Sequence, residues 1–288
     1  MLFFLILLQI FEILSIYKSP EDFYKKRNYF LKKILFGIEK KENFIYPSSL
    51  SFYKEKIAIC DAGKNFIYFI TKKGTEAIEY DKNLGGCGDI ELSSLKIFVS
   101  FPLKAKVLAY DLKEKKWEDI SGNFKRPNGI FFDKEREVLY ICDSGAHKIY
   151  EWDGNTISEF YLDKLNFPQD LAVSKKGKFY IADFMDFEIE VLDNDKNYLH
   201  SIGKEGEGFG SFKAIKGIAL DEDERIYVSD SGNNWIEVFD EFGKLLYVWR
   251  DKSLSHPSYL YFQNGNLYIP DPFSKLIFRI KINPPKTL

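Results

Sequence analysis

The chain consists largely of short apolar runs bounded by polar turn residues. In one copy of the pattern an apolar run ends at Asp230, a polar loop follows, and a second apolar run begins at Trp235. The pattern occurs at residues 57–71, 97–111, 139–153, 179–193, 226–240 and 267–281. Short apolar runs that are rich in β-branched and aromatic residues predict β-strands. Because no long helical periodicity interrupts them, we do not expect a parallel α/β sheet.

The spacing of the copies predicts how the strands assemble. An aspartate ends the first apolar run in five copies, at Asp61, Asp143, Asp183, Asp230 and Asp271. Phe101 takes its place in the remaining copy. The repeat is about 40 residues long and contains four short strands separated by turns, which is typical of a propeller blade. We therefore predict an all-β fold, a six-bladed β-propeller with four-stranded antiparallel blades.

The two ends of the repeat array predict how the ring closes. The last copy stops after its third strand, and residues 28–36 resemble the fourth strand of another copy. We expect this N-terminal strand to complete the last blade, which removes an open seam. The predicted domains are residues 1–17 as a leader segment, 18–27 as a linker and 28–288 as the propeller.

The leader segment allows two interpretations. Residues 2–8 are wholly apolar, a length that suits the apolar core of a secretory signal, but the first basic residue, Lys18, follows the run. A signal peptide or a membrane anchor through residues 2–16 is one interpretation; an amphipathic N-terminal helix or a misassigned start is the other. We predict an exported protein, periplasmic or at the cell surface, or a membrane-anchored one, and a cytoplasmic location stays open.

Charge and cysteine content narrow the function classes. The formal net charge of −2 gives no strong field for nucleic acid, so a nucleic-acid partner is not expected. The three cysteines form no CxxC motif and indicate no disulfide scaffold. Cys60 and Cys142 share one repeat position two blades apart, so we expect both to be buried, unpaired thiols.

The repeats resemble the NHL family. The resemblance rests on Pro-x-Gly/Asp-Ile/Leu-Ala, then Ile-Tyr-Val-x-Asp-x-Gly-Asn-Asn, then Ile-x-Val-Phe-Asp, and it is strongest over residues 215–239. It implies a propeller that recognises proteins, peptides or RNA, and in a minority of members an enzyme. Fold alone does not decide between these activities.

The aspartates that end the second strands are the first candidate site residues. Carboxylates repeated once per blade could form a ring of metal ligands. We instead predict structural turn carboxylates that accept backbone N–H groups, because a single site would not need a copy in nearly every blade.

A second candidate site lies where the first strands begin, since these strands line the central channel of a propeller. The polar residues there are Ser48, Asn128, Gln169, Asp170, Lys216 and Ser258. Asn128 looks like a metal-ligand position of the gluconolactonase-like propeller hydrolases. This resemblance requires acidic ligands at two further positions, which here hold Ser48 or Ser49 and Gln169, and only Asp170 is close. We therefore expect no cofactor and name no catalytic residue, with calcium or zinc at Asn128 as the alternative.

These observations favour a non-enzymatic binding scaffold that recognises a protein, peptide or small ligand on one propeller face. A metal-dependent hydrolase or lyase using the channel mouth is the alternative, and an RNA-binding module is the second alternative. The partner is an unknown protein or peptide, and we expect the chain to be a monomer.

Overall fold

The computed structural model describes residues 11–23, 43–160 and 165–282. This part of the chain forms six four-stranded antiparallel sheets and the turns and loops that connect their strands. The helical content described consists of three short 3-10 helices, Pro20–Phe23, Lys82–Leu84 and Pro102–Lys104. None of the described helices is long and apolar enough to cross a membrane. The six-bladed propeller predicted from the repeat is confirmed.

Blades one to three follow one another along the chain, each with its innermost strand first. Blade one comprises β2 (Pro47–Tyr53), β3 (Lys56–Asp61), β4 (Phe66–Thr71) and β5 (Gly74–Glu79). Blade two comprises β6 (Ile90–Leu92), β7 (Lys96–Phe101), β8 (Lys106–Asp111) and β9 (Lys116–Asp119). Blade three comprises β10 (Pro127–Asp133), β11 (Val138–Asp143), β12 (Lys148–Trp152) and β13 (Ile157–Phe160).

Blades four to six continue the same order until the last outer strand. Blade four comprises β14 (Pro168–Val173), β15 (Phe179–Asp183), β16 (Glu188–Leu192) and β17 (Tyr198–Ile202). Blade five comprises β18 (Ile215–Leu220), β19 (Ile226–Asp230), β20 (Trp235–Phe239) and β21 (Leu245–Trp249). Blade six comprises β22 (Tyr261–Gln263), β23 (Asn266–Asp271), β24 (Leu276–Ile282) and β1 (Phe11–Tyr17).

The strand order gives the propeller two distinct faces. The entry face carries the segments that lead into the first strands and the loops between second and third strands. The exit face carries the tight turns between first and second strands and between third and fourth strands. Apolar side chains from adjacent blades pack between the sheets, as Ile189 and Val191 of blade four do with Ile226 and Val228 of blade five.

The ring is closed by a strand from the N-terminal part of the chain. β1 runs antiparallel to β24, with Ile13 opposite Ile280 and Tyr17 opposite Ile277. Tyr17 is buried in the cluster at the seam between blades six and one and stacks on Phe23, with ring centroids 3.9 Å apart. Closure by an N-terminal strand is therefore confirmed.

The position of this strand differs from the predicted one. The sequence placed it at residues 28–36, which lie outside the described residues, whereas residues 11–17 occupy the outer position of blade six. Residues 11–17 were assigned to the leader because they continue an apolar run. The same composition suits an outer strand, and three of its apolar side chains, Ile13, Leu14 and Ile16, remain partly exposed.

Blade two replaces the repeated aspartate by apolar packing. Phe101 is fully buried, and its ring centroid lies 4.9 Å from that of Tyr80. The segment that enters the first strand of this blade pairs with Ser100 through the backbone: the Gly88 N–H donates to the Ser100 carbonyl oxygen, and the Ser100 N–H donates to the Asp89 carbonyl oxygen. The apolar side chain therefore fills the place of a buried carboxylate without leaving these amides unpaired.

Cys60 forms a disulfide with Cys87, with a Cα–Cα distance of 6.0 Å. The prediction that Cys60 is an unpaired thiol is wrong, because Cys60 was compared only with its repeat equivalent Cys142. Cys87 lies in the segment that enters the first strand of the adjacent blade, so the disulfide joins blades one and two. Cys142 is the free, buried cysteine of the described chain.

Removing the closing strand should destabilise the whole ring. Deletion of residues 1–17 exposes one edge of β24 and the seam cluster around Tyr17, so we expect a loss of several kcal/mol of unfolding free energy. Deletion of residues 1–10 is the matched control, because it keeps β1. Chemical denaturation of both variants measures the difference, and equal stabilities would contradict a structural role for the strand.

The disulfide should stabilise the propeller by restricting the unfolded chain. The two cysteines are 27 residues apart in sequence, and a loop of this size corresponds to about 3–4 kcal/mol. We expect a reductant to lower the denaturation midpoint of the native protein. A variant carrying both Cys60→Ser and Cys87→Ser should be less stable and insensitive to reductant. The reduced sample is prepared by unfolding the native protein, reducing it fully and refolding it. A denaturation midpoint equal to that of the oxidised protein would contradict this prediction.

Candidate functional site

The repeated aspartates connect each blade to the chain segment that enters it. Asp230 accepts hydrogen bonds from the backbone N–H groups of Lys213 and Ala214, at 2.9 and 3.0 Å, ahead of the first strand of its blade. It also accepts from the turn amides of Gly232 and Asn233. The sequence placed the donors in the turn alone, and the structure adds the donors from the entering segment.

The other four aspartates make equivalent contacts. Their donors are Ile45 and Tyr46 for Asp61, Lys125 and Arg126 for Asp143, Asn166 and Phe167 for Asp183, and Ser255 and His256 for Asp271. All five carboxylates are fully buried. Burial raises the pKa of Asp183. Because each lies in a different blade and accepts local N–H groups, the structure does not bring them together in one site.

The channel residues predicted from the sequence form a closed hydrogen-bonded layer at the entry end of the axis. Asn128 donates to Ser144 Oγ at 2.7 Å and to Gln169 Oε1 at 3.3 Å. Gln169 in turn donates to the Tyr259 hydroxyl at 3.0 Å. Ser48 donates to the carbonyl oxygen of Gly88 at 2.9 Å. These side chains are buried rather than exposed at an open mouth: Asn128, Gln169 and Tyr259 bond in series, whereas Ser48 bonds to the backbone of the next blade.

Two further predicted residues belong to the same layer. Ser258 is buried and bonds through its backbone, its N–H donating to the Pro270 carbonyl oxygen. Lys216 is half-buried and donates to the Tyr259 hydroxyl at 3.3 Å, with its Nζ 4.5 Å from the ring centroid. Burial lowers the pKa of Lys216 to about 8, against the opposing effects of Asp170 and Asp89. Lys216 is thus the cationic member of the predicted set.

Asp170, the remaining predicted residue, joins neighbouring blades around the axis. Its carboxylate accepts from the backbone N–H of Leu171 and, in the next blade, from that of Ile218 at 2.9 Å. Asp89 repeats the arrangement by accepting from Ile90 and from Ile130 at 2.8 Å. Burial raises the pKa of Asp89 to about 6 and that of Asp170 well above its ordinary value.

Sequence reasoning missed Asp89 because blade two lacks the proline that precedes most first strands. The signal was nevertheless present, since Asp89 lies 40 residues after Ser49, one repeat later, and accepts a hydrogen bond from its hydroxyl. Glycines accommodate these contacts. A Cβ at Gly129 would lie only 2.7 Å from Asp170 Oδ1 and 2.5 Å from the Gln169 carbonyl oxygen.

The donor set around Asn128 does not fit a calcium or zinc ion. Its amide nitrogen and the Gln169 oxygen bond to each other, and the nearby partner is the neutral hydroxyl of Ser144. Both metals favour carboxylate oxygens or, for zinc, histidine and cysteine. Among the described residues no group of three or more His, Cys, Asp or Glu side chains could hold a metal ion.

The rim of the entry face carries three aromatic clusters. At the junction of blades six and one, the Phe273 ring lies 6.0 Å from Tyr46 and 4.5 Å from His256. In blade four, Phe167 and Phe184 lie 5.8 Å apart, with the Arg126 guanidinium 5.9 Å from Phe167.

The third cluster lies in blade five. Phe209 lies 5.3 Å from Trp235, and the Arg250 guanidinium is 4.6 Å from the Phe209 centroid and 4.0 Å from that of Trp235. Phe209 belongs to the glycine-rich segment between blades four and five, which the Gly210 N–H anchors to Glu237 at 2.8 Å. Each cluster thus presents aromatic surface on a backbone that is held in place.

Comparison with known proteins supports the repeat assignment. The NHL repeat family matches residues 213–239. Antigen Lp49 of Leptospira interrogans is 32% identical over 117 residues, which cover 35% of this chain and 25% of that protein. NHL repeat-containing protein 2 of Gallus gallus is 31% identical over 97 residues, covering 28% of this chain and 13% of that protein. The matches thus span a quarter or less of these relatives.

Solved structures share the fold at low sequence identity. Virginiamycin B lyase from Staphylococcus aureus superposes with a TM-score of 0.64 at 11% identity, covering 83% of this chain and 96% of that one. A gluconolactonase from Xanthomonas campestris superposes with a TM-score of 0.66 at 13% identity, covering 83% and 87%. At these identities the likeness concerns the propeller architecture alone.

Replacing one repeated aspartate should test its structural role. Asp230→Ala leaves the amides of Lys213 and Ala214 without their acceptor, so we expect a loss of about 1–3 kcal/mol of unfolding free energy. Asp230→Asn keeps one acceptor oxygen and should lose less. Denaturation curves of both variants measure the effect, and an alanine variant as stable as the native protein would contradict it.

Proposed function

We propose that this chain, a six-bladed β-propeller with NHL repeats, is a binding scaffold that recognises a protein or peptide on its entry face. The distribution of exposed apolar side chains carries the proposal. Of the exposed large apolar side chains of the described residues that lie in loops and turns, six are in entry-face loops and are between 41% and 74% exposed: Ile45, Tyr46, Leu103, Met185, Phe209 and Phe273. Two exposed apolar side chains, Leu95 and Phe242, lie in exit-face turns. The remaining exposed large apolar side chains of the described residues lie on the outer strands β1 and β17.

The composition of this rim suits macromolecular recognition. Aromatic residues and arginine are enriched at protein interfaces relative to the remaining surface, and two of the three aromatic clusters combine these residue types. Arg250 lies against two rings and Arg126 against one, so each presents a charged group on an apolar base. Such groups can anchor a partner through both packing and hydrogen bonds.

The rigidity of the supporting loops favours binding. Tyr46 and His256 belong to entering segments whose backbone N–H groups bond to Asp61 and Asp271. The side chains of this cluster are therefore carried by backbone that is fixed before a partner arrives. A preformed surface loses little conformational entropy on association, which increases the affinity for a given contact area.

We also propose that the protein is exported, periplasmic or at the cell surface, or held at a membrane. The disulfide between Cys60 and Cys87 supports this proposal, because such bonds persist mainly in oxidising compartments. The apolar run at residues 2–8 agrees with it at the level of sequence.

A peptide selection against the purified full chain tests the proposed binding face. Peptides taken from a random display library should bind the native protein with micromolar dissociation constants, measured by fluorescence polarisation. A variant with Tyr46→Ser and Phe273→Ser should bind peptides that contact this cluster with at least tenfold lower affinity, because their aromatic contacts are lost. Phe209→Ser is the corresponding variant for the blade-five cluster.

The exit face supplies the matched control. A variant with Leu95→Ser and Phe242→Ser removes a similar exposed apolar area on the opposite side and should leave the affinities unchanged. Failure to select any peptide, or peptides weakened only by the exit-face variant, would overturn the proposal.

A further inference from the structure

A cavity of about 370 Å³ lies on the propeller axis, on the exit side of the closed layer formed by Asn128 and Gln169. First strands from every blade contribute to its wall. Its polar lining includes Ser49, Asp89, Glu91, Lys134, Asp170 and Tyr261. Of the residues predicted from the sequence for the channel mouth, only Asp170 lines this cavity. It is therefore separate from both the predicted mouth and the proposed peptide-binding rim.

The inner end of the cavity is formed by two carboxyl groups. Asp89 and Asp170 are held by backbone N–H groups of their own blades and of the next ones, as described above. These contacts fix the direction of each carboxyl group. Lys216 influences both electrostatically but does not line the cavity.

The side wall contains a carboxyl and an ammonium group that attract each other electrostatically without forming a contact ion pair. Glu91 accepts from the Ser51 hydroxyl at 2.7 Å. Lys134 donates to the Phe52 carbonyl oxygen at 2.8 Å and to the Tyr261 hydroxyl at 2.6 Å. Within the described chain Glu91 and Lys134 form no ion pair with each other, although both line the same space.

Among the residues named above, the cavity thus has three carboxyl groups, Asp89, Glu91 and Asp170, and one ammonium group, Lys134. Its side wall is aromatic. The ring of Tyr261 lies beside the Lys134 ammonium, 5.2 Å away, and Phe132 and Phe262 also line the space. Pockets of at least about 300 Å³ with a few converging polar groups are typical small-molecule sites. Carboxylates and aromatic faces both attract organic cations.

We propose that this axial cavity binds a small aliphatic amine in its ammonium form. The ammonium group lies toward Asp89, Glu91 and Asp170, and the alkyl part lies along the aromatic side wall. A metal ion is a poorer fit, because among the described residues no set of three or more His, Cys, Asp or Glu side chains has metal-binding geometry.

Isothermal titration calorimetry of the full chain with 1,4-diaminobutane and n-butylamine tests the proposal, with sodium butyrate as the anion of matched length. We expect both amines to bind and butyrate not to bind. Glu91→Gln should weaken amine binding at least tenfold. Glu114→Gln makes the same change in an exposed exit-face turn outside the cavity and should leave the affinity unchanged.

Two further measurements separate this site from unspecific charge attraction. Lys134→Met removes the ammonium group that competes with the ligand, so it should strengthen amine binding several-fold. This variant tests the site independently if Glu91→Gln folds poorly. Burial raises the pKa of Glu91 to about 7 and that of Asp89 to about 6. Amine binding near pH 6.5 should therefore release protons, seen as different heats in buffers of different ionisation enthalpy.

Three results would each overturn the proposal. They are the absence of amine binding at millimolar concentration, preference for butyrate, and amine affinity that neither Glu91→Gln nor Lys134→Met changes. Loss of peptide binding on the entry face would leave this proposal intact, because the two sites share no residue.

Discussion

A buried carboxylate that accepts the amides of an entering chain segment is the contact on which the propeller depends. It does two things at once in five of the six blades: it satisfies N–H groups that would otherwise be buried without partners, and it fixes where the first strand of its own blade begins. The first strands line the axis and the entering segments form the rim. The geometry of both candidate binding regions therefore follows from the same repeated contact. Blade two achieves the same result with Phe101 and Ser100 in place of the carboxylate.

Around the axis, a second set of carboxylates acts between blades rather than within them. Asp89 and Asp170 each reach the backbone of the following blade, where a glycine, Gly129 or Gly217, precedes the amide that is bound. A side chain at Gly217 would meet the backbone of Ser258 and Tyr259 in the blade beyond. The glycines that let the first strands approach closely thus directly precede the amides that the buried carboxyl groups bind. Toward the entry face the axis carries buried amides and hydroxyls together with the Lys216 ammonium group, and toward the exit face it carries the carboxyl groups of the cavity.

The repeat predicted the blade number, the strand order and the role of a closing strand, because each depends on a periodic pattern that neighbouring copies reinforce. Features that depend on one copy were harder to predict. The closing strand at Phe11–Tyr17 has the composition of a leader, and its partner β24 is distant in sequence. The Cys60–Cys87 bond joins two positions that are not equivalent in the repeat. Ser48, Asn128 and Gln169 lie at the start of first strands, as predicted, but the sequence does not show that Asn128 bonds to Gln169 or that Ser48 bonds to the backbone of the next blade. Asp89 and Glu91 were missed because blade two departs most from the repeat.

The composite sixth blade has a consequence for how the molecule matures during translation. β1 leaves the ribosome first, yet its pairing partner β24 is made last, so the earliest strand of the propeller remains without its neighbour while the other five blades are synthesised. Those blades consist of strands adjacent in sequence and can form as they emerge. Ring closure is then a late, long-range event, and an apolar strand must be kept from pairing elsewhere until it occurs.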